Sequence, residues 1–307
     1  MGAEEPDNPP SEPPPGAEPA PQASGGVAPP AVPTAPEHAS ATRGKHFGRL
    51  SKHPLTLSLG ATLVIGAFIA GTVGAGALIG GAAAAGALLL VLLIVFVIAS
   101  NAAEEDFFSA YAAARGLSRS PAGGLPPTTP LLRKGDRRSA EQIMDGTLPG
   151  GLPGAIALYT YEEDTTDSEG DRDTSYYRFT VVMHDLPMAA TKVSDVYCQR
   201  RSGFRFMDTA EDKFRRMKRL ELESVPLDKR YEIFYGAEDS EVWLKQFFSP
   251  SFIVWLTENV PEDFAFEFSA GSLCVNTKGH CDDAAELDAM CEAGGQVARR
   301  LAGEAAE

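Results

Sequence analysis

The chain has 307 residues, 44% of them hydrophobic, and a formal net charge of −15 at pH 7. An acidic chain repels phosphate, which argues against a nucleic-acid binder that works by bulk charge. The composition is also uneven, because 13 of the 23 prolines lie in the first 54 residues and no charged side chain occurs between Lys52 and Glu104. These three blocks (a Pro-rich tail, an apolar stretch and an acidic region) exclude an ordinary soluble globular protein.

Residues 1–53 are predicted to form a Pro/Ala/Gly-rich tail with a basic end next to the membrane. With almost no large apolar side chains, residues 1–42 cannot bury enough surface to offset chain entropy, so we expect disorder there. The PxxP spacing from Pro6 to Pro9 and from Pro10 to Pro13 is typical of ligands of Pro-binding domains. A solvated spacer is the simpler interpretation, because Pro-rich tracts produce this spacing by chance.

Residues 54–102 are predicted to form a transmembrane helical hairpin. The 49 residues from Leu55 to Ala103 carry no charge and would form a single helix about 70 Å long. Because a bilayer core needs only about 20 residues, two spans fit better, at about 57–73 and 82–100. The glycines between them, in residues 74–81, favour a tight turn.

Small residues recur at a spacing of four along both predicted spans. They let membrane helices approach closely, so they predict the packing face of the hairpin or, alternatively, a face for self-association. The predicted helix-packing residues are Thr62, Gly66, Ala70, Gly74, Ala82 and Gly86. Neither span contains an ionisable residue, which argues against a channel, a proton relay or a transporter.

A basic stretch without acidic neighbours precedes the first span and consists of Arg43, Lys45, Arg49 and Lys52. Positively charged flanks stay inside, so the N-terminus should be cytoplasmic, and two spans return the chain to the cytoplasm. We therefore expect a multi-pass protein of the inner (plasma) membrane with both termini in the cytoplasm. A single span would instead place the large acidic region outside. The same basic residues can also contact anionic lipid.

The remaining sequence predicts a stalk helix and linker over residues 103–130 and a cytosolic α+β domain over 131–307. Phe107, Phe108, Tyr111 and Ala112 have helical spacing, and Gly116 suits a helix end. Strands and helices follow without regular βαβ repeats, which indicates an α+β class. The predicted strands are 155–161, 175–183, 219–224, 231–235, 264–269 and 273–276. The predicted helices are 139–144, 240–248, 250–259 and 282–301.

Three groups of residues could carry chemistry, and each also has a structural interpretation. The acidic loop 162–173 lacks the Gly and Glu spacing of a helix–loop–helix calcium site, so a solvated hairpin loop is favoured. Cys274, His280, Cys281 and Cys291 lack the paired spacing of zinc ligands, so we expect free core thiols, no metal and no cofactor. His184, next to Asp185, could be a catalytic base, but a partly exposed histidine at a strand end is the commoner case. The sequence contains no recognised catalytic motif.

A basic cluster lies between residues 200 and 219, with Phe204, Phe206 and Phe214 interleaved. It could bind RNA, an acidic partner or the anionic inner leaflet. Acidic residues nearby in the sequence favour a simpler interpretation, in which these basic side chains form ion pairs within the domain. We expect no nucleic acid as a partner. The residues of the possible partner surface are Arg200, Arg201, Arg215, Arg216 and Lys218.

One segment carries a resemblance to a known family. It begins with Tyr-Glu-Ile-Phe-Tyr-Gly at Tyr231, passes through Phe248-Ser249-Pro250-Ser251-Phe252 and ends near Gly271-Ser272-Leu273. Together with the hairpin layout, it resembles uncharacterised bacterial membrane proteins that have two adjacent spans and a cytosolic α+β domain of unknown function. Phe248 replaces the Leu that is usual in that family. The resemblance implies a fold and a layout but no reaction.

The sequence thus predicts an integral membrane protein of unknown biochemical activity. Its soluble region is most simply a membrane-anchored interaction or scaffold domain. Its expected partner is the bilayer, and another protein or a second copy of the chain is the further candidate. The alternatives are a membrane-tethered enzyme with an unrecognised site near His184, and a lipid- or ligand-sensing domain that uses the basic cluster.

Overall fold

The computed structural model describes residue 38 and residues 62–67, 69, 72–73, 77–166, 170–201 and 217–303. The predicted disordered tail therefore lies outside the described residues, with the exception of His38. Residues 62–67, 69 and 72–73, within the predicted first span, are helical. The remainder is an α+β domain with one long apolar helix, which agrees with the predicted class.

The described part of the domain is built on one sheet of nine strands, in the order β1-β2-β3-β4-β9-β8-β5-β7-β6. All neighbouring strands in it pair antiparallel. The strands are β1 (Ser118–Ser120), β2 (Arg137–Thr147), β3 (Pro153–Thr166), β4 (Arg172–Asp185), β5 (Asp195–Arg200), β6 (Met217–Arg219), β7 (Tyr231–Gly236), β8 (Ala265–Ser269) and β9 (Ser272–Lys278).

Six α-helices accompany the sheet in this part of the chain. They are α1 (Ala77–Arg115), α2 (Pro130–Arg133), α3 (Val225–Arg230), α4 (Glu241–Phe247), α5 (Pro250–Glu258) and α6 (Ala284–Ala302). Asp283 caps α6, since its side chain accepts a hydrogen bond from the backbone N–H of Glu286, and Gly303 ends the helix in the left-handed conformation.

The two faces of the sheet bury different sets of side chains, because successive residues of a strand point to opposite faces. Ile156 and Leu158 of β3 belong to the larger core, which also contains buried residues of α1, α4, α5 and α6. Ala157 and Tyr159, which alternate with them, belong to a smaller core with Leu131 and Leu132 of α2. The helices therefore cover mainly one face, and the segment around α2 covers part of the other.

Several predicted elements are confirmed by position. The predicted hairpin of 155–161 and 175–183 is the pair β3–β4, which is in register from Ala155 opposite Met183 to Thr166 opposite Arg172. Its strands extend well into the predicted acidic loop. The predicted helices 240–248, 250–259 and 282–301 correspond to α4, α5 and α6 within two residues at each end.

Two predicted elements are wrong. Residues 139–144 are predicted to form a helix but lie in β2, where Ala140 and Met144 are buried. The register with β3 shifts between Glu141 and Met144, so the two buried residues lie on opposite faces of the sheet, Ala140 in the smaller core and Met144 in the larger one. The predicted strand 219–224 is also absent from the described fold, because β6 ends at Arg219 and Ser224 caps α3.

The helix α1 joins two predicted segments into one element. It contains the whole second span, 82–100, and the stalk helix as far as Arg115, without interruption. It also begins at Ala77, so residues 77–81 of the predicted turn are helical, while residues 74–76 lie outside the described residues. At 1.5 Å per residue, its 39 residues extend for about 58 Å, which is longer than a bilayer core of about 30 Å.

Candidate functional site

The N-terminal part of α1 exposes large apolar side chains along its length. The exposed fractions of its Leu, Ile, Val and Phe side chains from Leu88 to Ile98 lie mostly between 42% and 68%. Among the described residues, the run Ala82–Arg115 is the one helix that is long and apolar enough to cross a membrane. In water such a surface would be unfavourable, whereas in hydrocarbon it is the expected one.

The C-terminal part of the same helix is buried in the domain. Phe107, Phe108 and Tyr111 are completely buried, and all three belong to the larger core. The rings of Phe107 and Phe108 meet edge to face, with their centroids 4.9 Å apart. This confirms the predicted apolar face of residues 107–112 and shows that the helix is an integral part of the domain.

A polar contact between α1 and α6 fixes the end of this buried part. Asp288 of α6 accepts hydrogen bonds from the Tyr111 hydroxyl, at 3.0 Å, and from Nε of Arg115, at 2.6 Å. It also forms an ion pair with the second guanidinium nitrogen of Arg115. The Arg115 guanidinium lies 3.8 Å from the centre of the Tyr111 ring. The hydrogen bonds to Asp288 raise the pKa of Arg115, so this residue stays charged.

A second polar contact joins α1 to β2 nearer the apolar part. Arg119 donates hydrogen bonds to both carboxylate oxygens of Glu105, to the hydroxyl of Ser109 and to the side-chain oxygen of Gln142. The hydrogen bond from Arg119 lowers the pKa of Glu105. Gln142 has a positive φ of 49° at an irregularity of β2, a local conformation that sequence patterns did not signal.

His184 is part of the core, and its predicted partly exposed position at the strand end is wrong. Its side chain is 2% exposed, on the face of β4 that packs against α6. Its Nδ1 lies 2.8 Å from the carbonyl oxygen of Pro153, which only accepts, so Nδ1 carries the proton and donates. Among the described residues Nε2 has no hydrogen-bond partner, and it faces Gly294, where an added Cβ would lie 3.4 Å away.

Burial lowers the pKa of His184, and the positive charge of Arg299 acts in the same direction. The neutral ring is therefore the favoured form in the folded domain. A catalytic base needs access to substrate, whereas this ring is enclosed between the sheet and a helix. The alternative of an enzyme site at His184 loses its geometric basis.

Cys274 and Cys291 occupy the predicted core positions, on β9 and α6, whereas Cys281 is only partly buried. All four cysteines are free, and Cys198, Cys274 and Cys291 are buried. Burial raises the pKa of the partly buried Cys281 thiol to about 12, and that of Cys291 also to about 12, so both stay protonated at neutral pH. No group of three His, Cys, Asp or Glu side chains in the described part of the chain could hold a metal ion.

The acidic loop of the sequence is largely a projecting β-ribbon. Its described strands are residues 162–166 and 172–176, which we call the acidic ribbon, and residues 167–169 lie outside the description. Side chains at its end are exposed, and Tyr176 is 60% exposed. At its base the rings of Tyr161 and Tyr177 stack with centroids 4.8 Å apart. Most residues of the predicted acidic loop are paired as regular strands, so they do not form the loop that a calcium site would need.

The predicted basic cluster is only partly described. Arg200 forms an ion pair with Asp263 at 3.8 Å, and Arg201 forms one with Glu232 at 3.4 Å. The ammonium group of Lys218 donates to the carbonyl of Ala237 at 2.9 Å. Arg215 and Arg216 lie outside the described residues. Arg200, Arg201 and Lys218 thus have partners within the domain, and the role of the cluster stays a prediction.

The small-residue stripe is also partly described, since Ala70 and Gly74 fall outside the described side chains. Thr62, Gly66, Ala82 and Gly86 are exposed. A Cβ added at Gly66 or Gly86 would meet nothing within 4 Å. The described small residues therefore do not form a close helix contact within one copy of the chain, and the packing prediction stays a prediction.

An open cleft of about 790 Å³ lies where β2 and β4 end and β3 and β9 begin. Two carboxylates line it, and each accepts a hydrogen bond from a serine hydroxyl: Asp145 from Ser120 at 2.9 Å, and Asp185 from Ser272 at 3.2 Å. Sequence reasoning missed this cleft, because its walls come from four distant segments.

Comparisons with known proteins give one distant match. No family model and no curated protein matches the chain. Among solved structures, the chain is similar to the crystal structure of the mycobacterial trehalose monomycolate transport factor A, TtfA. That match has a TM-score of 0.40 and 9% sequence identity, and it covers 64% of this chain and 91% of the other. A similarity at this level assigns neither a family nor a function.

We expect the contact of Asp288 with Tyr111 and Arg115 to contribute measurably to stability. The substitution Asp288→Ala leaves a partly buried guanidinium without its carboxylate, so the free energy of unfolding should fall by about 1–3 kcal/mol. Chemical denaturation of the detergent-solubilised protein would measure this. Asp173→Ala, which removes an exposed carboxylate of the acidic ribbon, is the control and should change stability by less than about 0.5 kcal/mol. Equal effects of the two substitutions would contradict the role of Asp288.

Stability should also depend on pH through His184. Its pKa in the folded protein lies below the ordinary value of 6.5, so the unfolded chain binds a proton that the folded chain does not. The stabilisation is therefore complete above about pH 6.5 and declines as the pH falls towards the folded pKa. In His184→Gln the decline between about pH 7 and 5 should be shallower.

The control for this measurement is His280→Gln, because burial lowers the pKa of His280 as well. Each substitution should remove its own part of the pH dependence, and the double substitution should remove both. A pH profile of the unfolding free energy that is unchanged in His184→Gln would show that the ring does not titrate as inferred.

Proposed function

We propose that this chain is an integral membrane protein that holds an α+β interaction domain at the cytoplasmic face of a bacterial inner membrane. One observation carries the proposal: α1 exposes its apolar part and buries its C-terminal part in the domain without a break. The apolar part then lies in the bilayer, and the domain lies directly below it. The expected relation to uncharacterised two-span bacterial membrane proteins belongs to this proposal.

Two observations support the two-span arrangement in particular. A stripe of α1 at a spacing of four, Val95, Ala99 and Ala103, is buried although the side chains around it are exposed. A second helix packed along α1 would cover such a stripe. In addition, Nδ1 of His38 lies 2.8 Å from Oδ2 of Asp283 in the domain. Two crossings between His38 and the domain would leave both on the same side of the membrane, so this contact supports the proposed hairpin.

The orientation follows from the flanking charges. Arg43, Lys45, Arg49 and Lys52 precede the first span, and Arg115 and Arg119 follow the second. Basic flanks on the same side favour the cytoplasm for both termini. Self-association through the exposed small residues is the remaining possibility for that stripe, since Gly66 and Gly86 leave room for a second copy.

We assign the interaction role to the acidic ribbon. It carries Glu162, Glu163, Asp164 and Asp173 against Arg172. Arg137 pairs with Glu162 at 2.8 Å and with Asp164 at 3.2 Å, and Lys134 pairs with Glu163 at 3.7 Å, so negative charge stays in slight excess. A projecting ribbon with excess negative charge and an exposed Tyr176 suits a basic protein surface, because complementary charge guides association and an aromatic ring adds contact area.

Cysteine labelling in intact cells tests the topology. In a Cys281→Ser background the other native thiols are buried, so new thiols report alone. Ser11→Cys in the tail and Thr166→Cys on the ribbon should react with an impermeant maleimide only after the inner membrane is permeabilised. Gly76→Cys, between the spans, should react without permeabilisation. Labelling of Thr166→Cys from outside in intact cells would establish the single-span alternative.

Photo-cross-linking tests the interaction role. A benzophenone amino acid at Tyr176 should give a discrete adduct with another protein in native membranes, because this side chain lies on the acidic ribbon. The same group at Val242, which is 69% exposed on α4, is the matched control and should give none. Adding Glu163→Gln and Asp173→Asn should reduce the Tyr176 adduct. An adduct of equal yield at both positions would argue against the ribbon as the binding surface.

A further inference from the structure

The N-terminal segment touches the domain at one described position. His38 pairs with Asp283 as an antiparallel backbone bridge, and its imidazole Nδ1 lies 2.8 Å from Oδ2 of the same residue. The other carboxylate oxygen of Asp283 accepts a hydrogen bond from the backbone N–H of Glu286 at the start of α6. The carboxylate of Asp283 thus caps α6 and also contacts the side chain of His38, which belongs to the segment before the first span.

Acidic residues also occur next to Asp283 in the sequence and in α1 where its apolar part ends. We call Glu104, Glu141, Asp282 and Asp283 the acidic rim. Burial raises the pKa of Glu104, and the charges of Glu141 and Asp282 add to this, so these carboxylates act on one another. Within the described residues, none of Glu104, Glu141 and Asp282 forms an ion pair, in contrast to Glu105, which Arg119 holds.

The chain itself supplies the complementary charge next to this rim. Residues 43–52 contain Arg43, Lys45, Arg49 and Lys52 and no acidic residue. Arg43 follows His38 by five residues, and five extended residues span at most about 18 Å, so the chain length allows Arg43 to reach the rim. From there the segment must reach the first span. With two adjacent spans, that span begins at the membrane level where α1 emerges beside Glu104.

We propose that the acidic rim is the docking site of the chain's own basic segment, residues 43–52. The proposal rests on the two-span topology proposed above, because only that topology brings the segment and the rim to the same side of the membrane. The four cations have two competing partners, the rim and anionic lipid headgroups. The segment therefore stays on the rim in a zwitterionic membrane, and it moves to the headgroups when the bilayer is rich in anionic lipid.

A distance measurement on the full-length protein in nanodiscs tests this docking. Spin labels are placed at Ser51→Cys, inside the basic segment, and at Ser139→Cys, an exposed position of β2, in a Cys281→Ser background. In phosphatidylcholine we expect a short and narrow distance distribution. Adding phosphatidylglycerol, or neutralising the rim with Glu104→Gln, Glu141→Gln and Asp282→Asn, should lengthen and broaden it. Asp283 is left unchanged because it caps α6.

The matched control neutralises three exposed carboxylates elsewhere, with Glu238→Gln, Glu258→Gln and Glu262→Gln, and should leave the distance unchanged. A charge exchange gives a second readout: Glu104→Lys, Glu141→Lys and Asp282→Lys should release the segment, and Arg43→Glu, Arg49→Glu and Lys52→Glu should restore the short distance. A distribution that is the same for parent and rim variants in phosphatidylcholine would overturn the docking. If the two-span topology itself is wrong, the result is different: the two labels lie a bilayer thickness or more apart in every variant.

Discussion

The structure depends on one helix that is continuous between two environments. A helix satisfies its backbone hydrogen bonds internally, so it can pass from hydrocarbon into a protein core without exposing polar groups. The side chains of α1 change at that transition: most of its large apolar residues are exposed as far as Ile98, with Val95 buried, whereas Phe107, Phe108 and Tyr111 are all buried. A kink would need a proline or a similar interruption, and α1 contains no proline. The domain therefore has a defined position relative to the part of α1 that we place in the bilayer.

Charged side chains near this transition also hold α1 against the domain. Arg119 holds Glu105, and Asp288 holds Arg115, so polar contacts on both sides of the buried aromatic residues keep α1 against β2 and α6. Glu104 lies between the apolar residues and these contacts and is close to other carboxylates. Negative charge therefore collects where the exposed apolar part of α1 ends. The proposed docking of the basic segment 43–52 would use this charge.

Sequence patterns predicted the elements whose signals are local. Ser240 before α4 and Asp283 before α6 accept backbone hydrogen bonds at the helix starts, and Pro250 occupies the first position of α5. They could not predict features that distant segments create together. The strand β2 contains a helix-like spacing that its pairing with β3 overrides. The burial of His184 depends on Pro153 before it and on Gly294 far after it. The contact between Arg115 and Asp288 joins residues 173 positions apart.

The segment between α1 and β2 shows why the anchor and the domain act as one body. The sequence indicated a Pro/Gly-rich linker here, and such a linker would let the domain move independently of the helix. In the structure the segment is bound at three places. Ser118–Ser120 forms β1 against β2, Gly123 bridges to Ala140, and Glu267, which is 1% exposed, accepts a hydrogen bond from the backbone N–H of Leu131 at 2.9 Å. Because Glu267 lies on β8 in the middle of the sheet, a displacement of α1 is opposed by contacts at one edge of the sheet and near its centre.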